Sequence, residues 1–165
     1  MRRTLATVLA CILSDPLLAQ SITAFNTAGE RLATLVDIPA GAGPFPALVL
    51  APGQGYHMGM PVLDQMAQAF VTQGYAVFRF NWSYYSAQPR RQPSADLSQE
   101  LQELRVVIAA ARQHPKVLPD KISVGGKSLG SLVAWQAFRQ DPALRSVLLL
   151  TPVCSRKPAG QNLPV

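Results

Sequence analysis

The sequence predicts an α/β fold, a mostly parallel sheet with helices on both faces. Short apolar segments bounded by turn residues alternate along the chain with longer segments whose apolar residues recur every three or four positions. The chain has 165 residues, of which 48% are hydrophobic and 15% are charged. That length and composition suffice to bury a core and argue against disorder.

Residues 1–19 have the features of an export signal. Two arginines near the start are followed by an apolar core at residues 5–13 and a plausible cleavage site at residues 17–19. We expect cleavage before Gln20, a mature domain of residues 20–165, and a periplasmic or secreted location. The alternative is a cytoplasmic protein that keeps this segment as an N-terminal element. The apolar run is too short to span a bilayer, so no stable membrane insertion is expected.

The first half of the domain begins with a predicted antiparallel hairpin. Residues 22–25 and 31–38 form its two strands, joined by the turn Asn-Thr-Ala-Gly. The continuous apolar run at residues 47–50 is typical of a strand buried on both faces. A proline then opens a helix over residues 61–74, and the next buried strand is expected at residues 75–80.

The second half continues the alternation after a loop at residues 81–93. Asp96, followed three residues later by Gln99, predicts a capping box at the start of the next helix. That helix carries one apolar stripe and ends at His114, where a cation suits the helix C-terminus and where we assign no catalytic role. The remaining predicted elements are a strand at residues 122–124, a helix at residues 129–139 and a strand at residues 146–150.

The chemistry-bearing segment is the Gly-x-Ser-x-Gly spacing at residues 126–130, which stands between a predicted strand and a predicted helix. So tight a turn strains the serine backbone, requires small neighbours, and raises the hydroxyl above the carboxyl edge of the sheet. Ser128 is therefore the candidate nucleophile. The backbone N–H of Leu129 is a candidate oxyanion donor. The alternative is that Ser128 only caps the following helix.

A second glycine-containing loop follows the first buried strand of the predicted sheet. Nucleophile turns of this kind draw their second oxyanion donor from such a loop. Gln54 is the candidate donor because it follows the glycine that lets the backbone turn, and Gly55 is the runner-up. The alternative is a flexible turn without a role. The glycine spacing excludes two nucleotide-binding motifs. A phosphate-binding loop requires glycine at position 121, which is Lys121, and a dinucleotide-binding fingerprint requires glycine at position 58, which is Met58.

The charges give no sign of a nucleic-acid partner. Fifteen Lys and Arg residues against nine Asp and Glu give a net charge of +6. These basic residues are scattered, form no stripe along a helix, and are not interleaved with aromatic residues. The two cysteines, Cys11 and Cys154, have no His or Cys at ligand spacing, so we expect no metal site.

Residues 47–152 resemble the α/β-hydrolase superfamily, and more narrowly its dienelactone-hydrolase-like and Tex30/KANSL3-like branch. The segments that carry the narrower resemblance are residues 51–56, 79–84 and 125–130. The resemblance implies a serine-dependent hydrolase that cleaves ester-like or related carbonyl bonds of a small-molecule substrate without a cofactor.

The resemblance also implies partners for the serine that the sequence does not supply. In such hydrolases, strands after the nucleophile deliver an acid and a histidine, whereas residues 151–165 contain neither. We therefore expect a C-terminally truncated form, lacking the last strands, with little activity alone. The alternative is a non-catalytic binding domain of the same fold. Asp141 faces the wrong part of the sheet, and His57, although its loop can approach Ser128, is expected to have no catalytic role.

Overall fold

A computed structural model describes residues 19–152 of the chain. The predicted leader lies outside this range except for Ala19, which starts the first strand, and so does Cys154. The described elements are, in chain order, β1 (Ala19–Phe25), β2 (Arg31–Asp37), β3 (Phe45–Ala51), α1 (Pro61–Thr72), β4 (Ala76–Phe80), α2 (Ser83–Ser86), α3 (Ser98–Gln113), β5 (Val117–Lys127), α4 (Leu129–Gln140) and β6 (Val147–Leu150).

The strands form one mixed sheet in the order β1-β2-β4-β3-β5-β6. The strands β1, β2 and β4 pair antiparallel, and β4, β3, β5 and β6 pair parallel. At the centre of the sheet, Val49 lies opposite both Phe78 and Val124. The predicted α/β class and N-terminal hairpin are therefore confirmed, although β5 extends well beyond the three residues predicted.

Helices cover both faces of the sheet, as predicted. On one face, Ala67 and Val71 of α1 pack against Leu48, Leu50 and Val77. On the other face, α3 and α4 pack over a larger core that includes Phe78 and Phe80. None of the described helices is long and apolar enough to cross a membrane.

Helix α3 does not begin with the predicted capping box. The carboxylate of Asp96 accepts hydrogen bonds from the N–H and the hydroxyl of Ser98, at 3.1 and 2.7 Å. The Gln99 side chain, however, donates to the hydroxyl of Ser83 at 2.9 Å and to Glu103 at 3.2 Å. A capping box is local, and here tertiary partners compete successfully for the glutamine.

Two glutamates on the inner face of α3 are each only 1% exposed and fix the segment that precedes the helix. Glu103 accepts hydrogen bonds from the N–H and the hydroxyl of Ser83, at 3.0 and 2.5 Å, and from Asn26 at 3.2 Å. Glu100 accepts bonds from the N–H and the hydroxyl of Ser94, at 3.0 and 2.5 Å. These bonds anchor Ser83, inside the predicted loop at residues 81–93, and Ser94, just after it; the short helix α2 lies within that loop.

Candidate active site

Ser128 occupies the turn between β5 and α4 at the carboxyl edge of the sheet. Its φ is +52° and its ψ is −117°, a backbone conformation that residues other than glycine rarely adopt. Its N–H donates to the carbonyl of Leu150 at 2.9 Å, and its carbonyl accepts from the N–H of Ser131 at 2.8 Å. The predicted strained strand-to-helix turn is therefore present, held from the side by β6.

The two glycines of the turn are required by close backbone approaches. A Cβ at Gly126 would lie 2.1 Å from the carbonyl oxygen of Gly130, at the start of α4. A Cβ at Gly130 would lie 2.3 Å from the carbonyl oxygen of Ala51, at the end of β3. Contacts this short with backbone cannot be relieved by a side-chain rotation, so the turn forms only with glycine at both positions.

The loop after β3, residues 52–59, lies directly beside the serine. A Cβ built on Gly53 would be 3.5 Å from the Cβ of Ser128. The loop turns where the N–H of Tyr56 donates to the carbonyl of Gly53 at 3.1 Å, with Gly55 at φ +74°. Within residues 19–152 the N–H of Gln54 makes no backbone hydrogen bond. The side chain of Gln54 is exposed and donates to Gln92 at 3.3 Å.

The candidate donors therefore lie on two elements that meet at Ser128. Leu129 is the first residue of α4, and the first N–H groups of a helix have no partner within that helix. Gln54 belongs to the facing loop. This is the arrangement in which two N–H groups can serve one oxyanion, and the catalytic roles of these residues stay predictions.

Three residues at the carboxyl end of β4 hold the 52–59 loop in place. The indole N–H of Trp82 donates to the carbonyl of Pro52 at 2.9 Å. The N–H of Met58 donates to the Asn81 side chain at 2.7 Å, and Arg79 donates to the carbonyl of Met58 at 3.0 Å. Sequence reasoning marked this segment by resemblance alone. Its role as a clamp depends on long-range contacts that no local pattern encodes.

The arginine of this clamp is part of a buried ion-pair network. Arg79 is 4% exposed and donates twice to Asp37, at 3.0 and 2.8 Å, and once to Asp64 at 3.0 Å. Sequence reasoning missed the network. The available signal was an arginine inside an otherwise apolar buried strand, where a charge is retained only when it is paired.

Neither histidine forms a hydrogen bond with the Ser128 hydroxyl in the described part of the chain. The Nδ1 atom of His57 accepts a hydrogen bond from the N–H of Gly59 at 3.1 Å, within its own loop. His114 ends α3, as predicted. Burial, followed by the charge of Lys116, lowers the pKa of His114, so the expected cation at this helix end is disfavoured.

Asp141 is committed to another partner. Its carboxylate accepts a hydrogen bond from Arg112 at 2.8 Å and another from the N–H of Ala143 at 3.0 Å. Burial alone would raise the pKa of Asp141, but these partners outweigh it and lower the pKa. Asp141 is thus paired with α3, and its lack of a catalytic role stays a prediction.

Cations and aromatic rings flank the serine and its loop. The Lys127 ammonium lies 4.4 Å from the ring centroid of Tyr56, and the Arg90 guanidinium lies 4.3 Å from that of Tyr85.

Among residues 19–152 no group of three or more His, Cys, Asp or Glu side chains is placed to hold a metal ion.

The fold and the turn together define a class of protein. A mostly parallel sheet with a Gly-x-Ser-x-Gly turn between a central strand and a helix is the arrangement of α/β hydrolases. The sequence model of the alpha/beta hydrolase domain family matches residues 45–158. The chain belongs to this family.

Comparison with individual proteins agrees with the family assignment. The chain is 30% identical over 110 residues to the quorum-quenching protein AidA of Acinetobacter baumannii, a match that covers 65% of this chain and 35% of that protein. It superposes on a hypothetical protein of Pseudomonas aeruginosa with a TM-score of 0.75 at 23% identity, over 86% of this chain and 44% of the other. It superposes on the dienelactone hydrolase of Anabaena variabilis with a TM-score of 0.69 at 16% identity, over 82% and 64%.

The two superpositions support the fold of the chain. The chain spans less than two thirds of the length of each of the three relatives. The resemblance to dienelactone hydrolases is thus matched at the level of structure. The Tex30/KANSL3-like assignment stays a prediction.

Proposed function

We propose that the chain is a serine-dependent hydrolase of ester-like or related carbonyl bonds in a small molecule, with Ser128 as the nucleophile and no cofactor. The observation that carries the proposal is the strained conformation of Ser128 beside the 52–59 loop. Strain of this kind destabilises the fold and persists where the surrounding structure enforces it, commonly at functional sites.

The geometry supports a two-step acyl transfer. The Ser128 oxygen attacks the substrate carbonyl carbon, the carbonyl π electrons move to oxygen, and the N–H groups of Leu129 and Gln54 stabilise the resulting oxyanion. Collapse breaks the bond to the alkoxy oxygen, which leaves as the alcohol by taking up the proton removed from Ser128, and an acyl-serine remains. Water then cleaves the acyl-serine to the carboxylic acid and restores the Ser128 hydroxyl. One such donor contributes about a hundredfold to a thousandfold in turnover in serine hydrolases.

The proton on Ser128 requires a base, because a serine hydroxyl is a poor nucleophile until the proton is removed. We propose that the acid and the histidine come from outside residues 19–152, so that this part of the chain is slow on its own. The lack of a histidine partner for Ser128 among the described residues also favours the second candidate, a domain that binds a ligand at this cleft without cleaving it.

Hydrolysis of small activated esters tests the proposal. We expect slow turnover by the chain alone and a large gain when the C-terminal segment of a full-length relative is fused to it, since loss of the histidine from a serine triad costs on the order of a millionfold. Ser128→Ala should abolish the gain, and Ser146→Ala, which removes an exposed serine just before β6, should preserve it. Brisk turnover by the chain alone that His57→Ala abolishes would replace this proposal with a self-sufficient pair.

We also propose export of the protein with cleavage before Gln20. The support is the arrangement of charge, apolar core and small residue in the first nineteen positions. N-terminal sequencing or the intact mass of the exported protein tests this. Retention of Met1 on an exclusively cytoplasmic protein would contradict it.

A further inference from the structure

A small cavity adjoins the loop that carries the candidate oxyanion donor. Its volume is about 220 Å³, and it lies between Gln54 and Gly55 on one side and residues 84–93 on the other. Pockets that enclose a whole small-molecule ligand are commonly about 300–1,000 Å³. This cavity is therefore sized for one substituent of a substrate whose carbonyl lies at Ser128.

Tyr84 lines this cavity, and in the described part of the chain its buried hydroxyl lacks a partner. Tyr84 is 5% exposed, and its hydroxyl has no hydrogen-bond partner within the described residues. The N–H of Gly55 approaches the phenol oxygen without completing a hydrogen bond. Buried hydroxyls are nearly always paired with protein or with water, so this hydroxyl can accept a partner that enters from the cavity.

The surrounding charges determine what that partner can be. Burial, followed by the charges of Glu100 and Glu103, raises the pKa of Tyr84 well above its ordinary value. The phenol therefore stays protonated and can donate a hydrogen bond. The charges of the same two carboxylates disfavour an anion beside this hydroxyl. Of the two arginines that line the cavity, Arg91 is paired with Glu30 at 2.6 Å, and the Arg90 guanidinium lies over the Tyr85 ring, 4.3 Å from its centroid.

We propose that this cavity is a substrate subsite in which the Tyr84 hydroxyl donates a hydrogen bond to an uncharged acceptor oxygen, an ether or a second carbonyl, near the scissile ester. The assignment rests on the proposed hydrolase function. It makes Tyr84 a specificity-determining residue that distinguishes oxygen-containing substrates from purely hydrocarbon ones and from anions.

Binding of matched esters to the full chain carrying Ser128→Ala tests the subsite without hydrolysis. Ethyl methoxyacetate and ethyl 3-methoxypropanoate are each paired with an all-carbon ester of the same length, ethyl butanoate and ethyl pentanoate, and monoethyl succinate serves as the anion. Dissociation constants are measured from the backbone amide NMR signal of Gly55. The same titrations are made after adding Tyr84→Phe, which removes one oxygen, or the matched change Tyr75→Phe, in a tyrosine that packs on Phe70 and does not line this cavity.

We expect at least one ether ester to bind about two- to tenfold tighter than its hydrocarbon pair, the preference that one net hydrogen bond gives. The preference should disappear with Tyr84→Phe, persist with Tyr75→Phe, and not extend to monoethyl succinate. Equal binding within every pair overturns the subsite even if Tyr84→Phe fails to fold, and so does a preference that survives Tyr84→Phe. Because Ser128 is absent from these titrations, failure of the nucleophile and failure of the subsite are separate outcomes.

Discussion

Replacing Arg79 with methionine tests the claim that the buried ion-pair network holds the fold around the site. Methionine keeps an unbranched stem of similar reach but removes the charge and every donor. Asp37, whose side chain is 9% exposed, then loses its cation and two hydrogen bonds. Asp64 is 44% exposed and loses little, because an exposed ion pair is screened by water.

The expected loss follows from Asp37 alone. Stranding one member of a buried ion pair costs about 3–5 kcal/mol in the free energy of unfolding. With a urea dependence of about 2 kcal/mol per molar, the unfolding midpoint should fall by about 2 M. Adding Asp37→Asn to Arg79→Met removes the stranded charge, so the double variant should be more stable than Arg79→Met alone.

Urea unfolding followed by circular dichroism gives these midpoints. Arg31→Met is the control, since Arg31 is exposed and forms no ion pair within the described residues; its effect should stay within about 0.5 kcal/mol. A loss below about 1 kcal/mol for Arg79→Met, or no recovery in the double variant, would refute the reasoning.

Three further predictions concern the turn and one histidine. Gly130→Ala should cost about 3 kcal/mol or more by urea unfolding, because its Cβ meets backbone at 2.3 Å, whereas Gly59→Ala, at 3.4 Å from the nearest atom, should stay near zero; similar losses would contradict this. Ser128→Gly should be about 1–2 kcal/mol more stable than Ser128→Ala. Glycine relieves about 1–3 kcal/mol of backbone strain at this positive φ, whereas the larger entropy of its unfolded chain costs about 0.4–1 kcal/mol. Equal unfolding midpoints would argue against strain. The pKa of His114 is lowered in the folded protein, so just below the ordinary value of 6.5 the unfolded chain binds more protons. Stability should therefore fall as the pH drops from 8 to 5, and it should fall less in His114→Gln than in His57→Gln. Thermal unfolding measured across this pH range tests this, and identical slopes in the two variants would contradict it.

The sequence was most informative where short-range patterns decide structure. Gly126 and Gly130 predicted a sharp turn because glycine spacing is local, and the turn is present with the clearances that only glycine permits. The parallel strands and the hairpin followed from apolar runs and turn residues in the same way. Their order in the sheet, with β4 between β2 and β3, depends on contacts far apart in the chain.

The polar interior could not be predicted for the same reason. The apolar stripe predicted for α3 does not include Glu100 and Glu103, yet both side chains are buried. Their burial is possible because Ser83 and Ser94 donate hydrogen bonds to them. Local capping rules assigned Gln99 to the helix start, whereas its amide reaches partners that only the folded chain brings near.

The most direct test of Ser128 as the nucleophile is labelling with a fluorophosphonate, with the modified residue located by peptide mass mapping. The account predicts a single adduct on Ser128, formed slowly by the chain alone and much faster when the histidine-bearing segment of a full-length relative is fused to it, and none in Ser128→Ala. An adduct on another residue, or an undiminished rate in Ser128→Ala, would contradict the account.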